Sequence, residues 1–408
     1  MMTKTKAVPE LRFPVGTDGF KRERLDAIVS KKISYGIVQA GDHVPGGMPY
    51  IKSQDLNGLL SLERLQRTSV EIAKKYKRSE VVPGDIVFSL RGNIGFAQIV
   101  PASIPVSNLT QGTARIAVQD HDNKYVCITL QTLDVVKQIQ AFAKGSTFRE
   151  ISLDDLRKVT LAIPTLPEQR KVADFLTAVD GRIQQLSQKK ALLEDYKKGV
   201  MQQLFTQALR FKDDNGNEFP DWEEKTLGAI ASFSKGRGIS KADVNEDGEL
   251  PCIRYGQLYT HYAELIREVK SRTNVPEEDL VLSQRNDVII PASGETHIDI
   301  ATASCVTVDG VALGGDLNII RTKQNGVFLA YYLNNACKHA IAGMAQGSSV
   351  IHLYPDQLKR LRLHLPSVKE QTKIANFLTA LDRKIESVSS QITHTQAFKK
   401  GLLQQMFV

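Results

Sequence analysis

The feature that most constrains this chain is that it repeats itself. Residues 164–205 laid on 366–407 without a gap agree at 18 of 42 positions; chance alone would give about two or three. The same offset of 202 brings Gly145-Ser146 onto Gly347-Ser348, Leu156 onto Leu358, Asp85 onto Asp287 and Gly92 onto Gly294. Leu11 recurs as Leu209 at an offset of 198, a four-residue slip in a linker. The 408 residues therefore read as a tandem duplication of one unit. Each copy has a body that has diverged, at 1–163 and 209–363, and a helical tail that has been kept, at 164–208 and 364–408. Two bodies imply related but different tasks; two like tails imply one shared structural task.

In the tails, apolar positions step by four and three. The first runs through Val172, Leu176, Val179, Ile183 and Leu186, the second through Ile374, Leu378, Leu381, Ile385 and Val388. That is the a/d seam of a coiled coil. About 40 residues at 1.5 Å each make a rod of roughly 60 Å. Pro164, Pro167 and Pro366 stand at the starts, where proline is tolerated. Two like rods from one duplication most simply pair with each other about a pseudo-two-fold axis, hence antiparallel. Pairing with helices of another subunit is the alternative.

The bodies read as mixed α/β, and the whole as an α+β fold. Short apolar runs at 85–90, 96–100, 114–118, 287–291, 303–308 and 318–321 have the length of strands, and 124–142 and 327–345 read as helices. Loops at 145–152 and 347–354 precede short helices holding Leu156 and Leu358. Charge differs between them: 1–163 carries 23 basic and 16 acidic residues, 209–363 carries 17 and 21. The net charge of +8 permits nucleic-acid binding without demanding it. The acidic second body would need a local basic patch: Lys235, Arg237 and Lys241, or Arg267, Lys270 and Arg272.

Catalytic and membrane signatures are missing. No GxxxxGK[ST] loop and no HExxH appears, and the eight histidines are dispersed. Cys127, Cys252, Cys305 and Cys337 are scattered without CxxC spacing, which argues against zinc and disulfides and suits a reducing cytoplasm. Gly236-Arg237-Gly238 reads as a turn. Pro220-Asp221 with Glu223-Glu224-Lys225 imitates a nuclease carboxylate set at too short a spacing and reads as a loop entering a domain. There is no run of about 18 apolar residues and no secretory leader, so no membrane association is expected.

The duplicated IPTLPEQRKVADFLTAVDGRI and LPSVKEQTKIANFLTALDRKI, each followed by KKGxxQQxF, carry a resemblance. With PGDIVFSLRGNIG, NDVIIPASGET and EFPDWEEKTLG, the chain resembles the specificity (S) subunit of type I restriction-modification enzymes over nearly its whole length. The first body departs at its start, LRFPVGTDGFKRERL, which lacks the tryptophan of the second copy. The resemblance implies two target-recognition domains, each reading half of a bipartite, asymmetric site in double-stranded DNA. It implies an antiparallel coiled coil that sets the gap between the half-sites. Partners would be two methyltransferase (M) subunits and two ATP-dependent restriction/translocase (R) subunits. The chain itself would be non-catalytic, with S-adenosylmethionine, ATP and Mg handled by those partners.

Base edges specify and phosphates position. Arg or Lys can bridge guanine, and Asn or Gln adenine. The expected readers lie on polar loops: Lys74, Lys75, Lys77 and Arg78 around Tyr76; Ser89, Arg91 and Asn93; and in the second body Lys235, Arg237, Ser293 and Thr296. A coiled-coil scaffold without DNA binding is the rival reading; retention of two bodies with different loops speaks against it.

Overall fold

The computed structural model describes residues 8–14, 19–145, 149–347 and 350–407; Ser146, Thr147, Ser348 and Ser349 of the paired glycine loops lie outside them. The chain divides into two compact units, Met1–Ser187 with Ser390–Val408, and Gln188–Ser389. The two long helices run Leu166–Phe205 and Val368–Met406. Each therefore begins in one unit and ends in the other.

In the first unit, strand Ile86–Ser89 is sandwiched antiparallel between Ala97–Ile99 and Thr113–Ile116. All four of its residues are buried, because successive side chains enter different cores. Ile86 and Phe88 join a core with Tyr125, Leu156 and Leu176; Val87 faces a second one with Ile51, Val81 and Leu109. The second unit repeats the scheme on a five-stranded sheet. There Val288 and Ile290 pack with Phe328, Leu358 and Leu378, while Ile289 packs with Ile253 and Leu313.

The end of the opposite helix completes each main core. Leu402, Met406 and Phe407 belong to the first, with Phe407 stacked 5.4 Å from Tyr125. Val200, Met201 and Leu204 belong to the second, with Phe205 edge-on 6.1 Å from Phe328. In the second unit Lys197 of the first helix pairs with Asp382 of the second at 2.6 Å. Eight residues further on, Phe205 reaches Phe328, whose helix is capped by Asn325, and Asn325 N donates to Gln371, eleven residues before Asp382. The two segments thus run antiparallel within that unit. The first unit obeys the same geometry: Lys399 pairs with Asp180 at 2.6 Å, Phe407 meets Tyr125, and Asp122 N donates to Gln169. Of the expected seam, Val172, Leu176, Leu186, Ile374, Leu378, Leu381 and Val388 are buried, and Val179, Ile183 and Ile385 are half-buried.

The Glu-Gln of the repeated motif has a structural task. Glu168 and Glu370 are 1% and 0% exposed as side chains and face Arg12 and Arg210 respectively. Arg12 grips Glu168 through two bonds of 2.6 and 2.7 Å, and Arg210 grips Glu370 at 3.2 and 2.8 Å. Glu370 holds the Arg210 guanidinium above its ordinary value through this hydrogen bond. The glutamines fasten the bodies to the rods: Gln169 bonds Pro164 O and Asp122 N, Gln371 bonds Pro366 O and Asn325 N. Asp122 and Asn325 in turn cap the next helices through the amides of Tyr125 and Phe328. Removing one partner of a buried pair leaves an uncompensated charge, at a cost of about 3–5 kcal/mol. Arg210→Met is therefore expected to lower the stability of the second unit by that order. Trp222, the single tryptophan, lies in that unit's core against Phe328 and Tyr332, so its fluorescence during urea unfolding reports the loss. Arg12→Met strips Glu168 in the first unit, and should shift the tryptophan transition less.

Two expectations need correction. The helix expected over 124–142 is two, Asn123–Thr129 and Leu133–Phe142, and that over 327–345 is Gly326–Asn335 and Lys338–Met344. In the first body the backbone bonds tighten at the break, Thr132 N donating to Thr129 O, and hydroxyls add to them: Thr129 Oγ1 donates to Tyr125 O and Thr132 Oγ1 to Thr129 O. All four cysteines are buried, and burial pushes Cys127, Cys305 and Cys337 up to about 12. No helix among the described residues is long and apolar enough to cross a membrane.

Candidate nucleic-acid interface

The basic run of the first body folds as a short helix followed by a turn. Helix Val70–Lys75 is capped by Ser69, whose hydroxyl accepts from Ile72 N, and it buries Ala73. Lys74 and Lys75 are exposed at its end, beside the Lys77–Ser79 turn. Ser79 pins that turn by donating to Asn108 Oδ1 at 2.6 Å, which leaves Lys77 and Arg78 outward. The Arg78 guanidinium stands 5.9 Å from the Tyr76 ring centre. A segment not expected at this place joins it: Ser34 Oγ donates to Arg78 O at 3.2 Å, bringing Lys31 and Lys32 alongside. Arg115 and Arg157 line the same cleft as Lys32 and Arg78. The sequence signal that points to it is the adjacent pair Lys31-Lys32; Arg115 and Arg157, on a strand and a helix, carry no comparable signal.

Ser89, Arg91 and Asn93 do not form a free reading loop. Ser89 is fully buried and donates to Arg91 O at 2.9 Å, so it shapes the turn rather than the surface. Arg91 is exposed but paired with Glu150 at 2.8 Å, and exposed Asn93 donates to Asn57 Oδ1.

In the second body, strand Ala231–Lys235 delivers Lys235 and Arg237 to the surface. Lys235 lies 5.7 Å from the Tyr354 ring centre. Gly236 passes so close to the 313–314 backbone that a Cβ would sit 2.0 Å from Gly314 O, so this turn requires glycine. Beyond it, Lys241 and Arg254 share a cleft of about 650 Å³ with Asp243 and Asp316, a mixed-charge surface. Ser293 is buried on a strand paired with Ile351–His352. Thr296 is exposed, but it caps helix His297–Ile300: its hydroxyl accepts from Asp299 N and donates to Asp299 Oδ2. In the alternative patch Arg272 holds the carbonyls of Gly248 and Glu249, and Arg267 faces Glu386 at 3.6 Å. Ser89 and Ser293 therefore drop out as surface readers. Polar residues in apolar strands follow the facing of the strand, not their own polarity.

The surfaces so built are of two kinds. One is a convergent cationic face, suited to phosphate oxygens. The other is a Lys/Arg edge beside carboxylates, able to offer both donors and acceptors to base edges.

Comparison with known proteins gives one direction. The model of the type I restriction modification DNA specificity domain matches residues 32–195 and again 220–394. The putative type I restriction enzyme MjaX specificity subunit of Methanocaldococcus jannaschii is 26% identical over 265 residues, 62% of this chain and 59% of that protein. The type I restriction enzyme MjaIX specificity subunit of the same organism is 22% identical over 378 residues, 88% of this chain and 86% of that one. The crystal structure of the type I restriction-modification system S subunit from M. genitalium shares the fold, with a TM-score of 0.62 at 16% identity over 98% of this chain and 99% of that one.

Proposed function

The chain belongs to the type I restriction modification DNA specificity family, and from that membership we propose that it is the DNA-reading subunit of a type I restriction-modification complex. Each specificity domain reads one half of a bipartite, asymmetric site in double-stranded DNA. The observation that carries this reading is the duplicated frame with two different surfaces. One architecture, fastened by the same Glu-Gln joint in each copy, holds a cationic face on one body and a mixed-charge edge on the other. A scaffold would have no use for that divergence.

The chain is the specificity component, not the enzyme. In our reading two methyltransferase subunits dock on the helical regions, and two restriction/translocase subunits complete the assembly. S-adenosylmethionine, ATP and Mg²⁺ are handled by those partners. Support for docking on the rods comes from exposed aromatics at repeat-equivalent positions, Tyr196 and Phe398, 53% and 56% exposed, each next to a Lys-Lys-Gly.

The test is an exchange. Replacing residues 209–363 by the corresponding body of a relative should change one half-site in the methylome of a host carrying the complex and leave the other as it was. Change in both half-sites would refute independent reading. Native mass measurement of the same complex should give two methyltransferase subunits per chain.

A further inference from the structure

Between the 32–35 segment and the Lys77–Ser79 turn, the first unit holds a cleft of about 440 Å³. Lys32, Ser34, Tyr35, Arg78, Arg115 and Arg157 line it, with two apolar side chains; four of these residues are cations and none of the lining residues is a carboxylate. Arg115 is the unusual member. It is 6% exposed, on a strand where its register partner is Val87. In the second unit the equivalent partner of Ile289 is Ile319, an apolar residue. Arg115 Nη1 donates to Glu80 O at 2.7 Å, but its Nε is buried with no hydrogen-bond partner. Arg157 repeats the pattern. Its Nη1 meets Asp154 and its Nη2 donates to Ile33 O, while its Nε is buried and unpartnered.

The second unit shows what a settled pair looks like here. Asp287 takes two bonds from Arg321, at 2.8 and 2.7 Å. Asp85, its counterpart, has no such clasp; Arg115 feels it only at a distance, and among the described residues forms no ion pair. Burial draws the Arg115 guanidinium below its ordinary value, and Asp85 and Glu80 offset that only in part. A buried guanidinium without a counter-ion is costly. Arg115 is such a group; with Arg157, whose Nη1 is already paired to Asp154, and with Lys32 and Arg78 completing the lining, it is arranged for an anion supplied from outside.

We propose that this cleft seats one phosphate of the DNA backbone and so fixes the register of the first unit on its half-site. The assignment rests on the DNA-reading role of that unit. Phosphate is the chemistry the cleft selects, since a phosphate oxygen can take charge-assisted bonds from guanidinium and ammonium together. A free inorganic phosphate offers the same oxygens but none of the duplex's other contacts, and the two sources are separated by their separate titrations.

The measurement is the salt dependence of duplex binding by the full chain, read by fluorescence anisotropy. Each neutralised phosphate contributes about 0.9 to the slope of log K against log salt. The K32Q/R78Q double variant changes two surface cations and leaves Arg115 and Arg157 in place. It should lower the slope by about 0.9, one phosphate, and not by twice that. An unchanged slope overturns the seat; a loss of about 1.8 means two separate phosphates and overturns it equally. Titration with inorganic phosphate alone, by calorimetry, is expected to show no saturable binding. Saturable binding lost in K32Q/R78Q, with the DNA slope unchanged, would reassign the cleft to a free anion. A wild-type chain with no salt-dependent affinity for duplex would overturn the DNA-reading role itself, and this assignment with it. Salt-dependent wild-type binding with an unaltered variant slope overturns the cleft alone.

Discussion

Leu378→Arg is expected to destabilise the second unit by on the order of 5 kcal/mol. Leu378 is 0% exposed in a core shared with Val200, Leu204, Phe328 and Leu358, all apolar. An arginine there loses the leucine packing and carries a charge in among apolar side chains. A domain is stable by about 5–15 kcal/mol in total, so a change of this size removes much or all of the folded population. Loss of the cooperative Trp222 transition in urea is the readout, accompanied by failure to co-elute with the proposed methyltransferase partners on a sizing column. Leu378→Met, close in volume, should cost under about 1.5 kcal/mol and serves as the control. Leu176 is the repeat-equivalent residue, also 0% exposed, in the first unit. Leu176→Arg should abolish the fold of that unit while moving the tryptophan signal less. A folded, assembly-competent Leu378→Arg chain would mean that the seam does not hold the core together.

Adding one heptad to each long helix is expected to widen the gap between the two half-sites by about three base pairs. Seven residues inserted after Lys190 and seven after Ile392, its repeat equivalent, keep the a/d register. Both points fall within three residues of where the chain passes from one unit to the other. Each helix grows by about 7 × 1.5 Å, roughly 10 Å. At about 3.4 Å per base pair that is three pairs. The duplex turns by roughly 100° over three pairs, so some loss of affinity and a shift of two or four are compatible with the idea. Methylome sequencing of a host carrying the variant reads both the gap and the half-sites. An active variant with both half-sites and the original gap would sink the idea of the rods as a ruler.

Much of this is legible in the sequence because it is periodic or local. The 202-residue repeat, the a/d steps from Val172 and Ile374, and the strand at 287–291 need only a chain and the spacing of its apolar residues. The resemblance rested on the same repeated motifs. Tertiary structure decided the rest. Glu168 was visible as a motif letter, but its partner Arg12 stands 156 residues away, and only the packing of the rod on the body makes them a pair.

The candidate site divides the same way. The Lys74–Lys75 and Lys77–Arg78 cations were readable as a charge run, and they are exposed. That Ser89 and Ser293 turn inward was not readable, since the facing of a strand residue depends on which neighbours the sheet supplies. Nor was the gathering of Lys32, Arg78, Arg115 and Arg157 on one cleft. Those four come from two loops, a strand and a helix, and sheet register with one serine-to-carbonyl bond places them together. Sequence spacing determines what a helix or strand repeats along itself. Which distant side chains meet is determined by how those elements stack, because a single strand presents its two faces to two different cores.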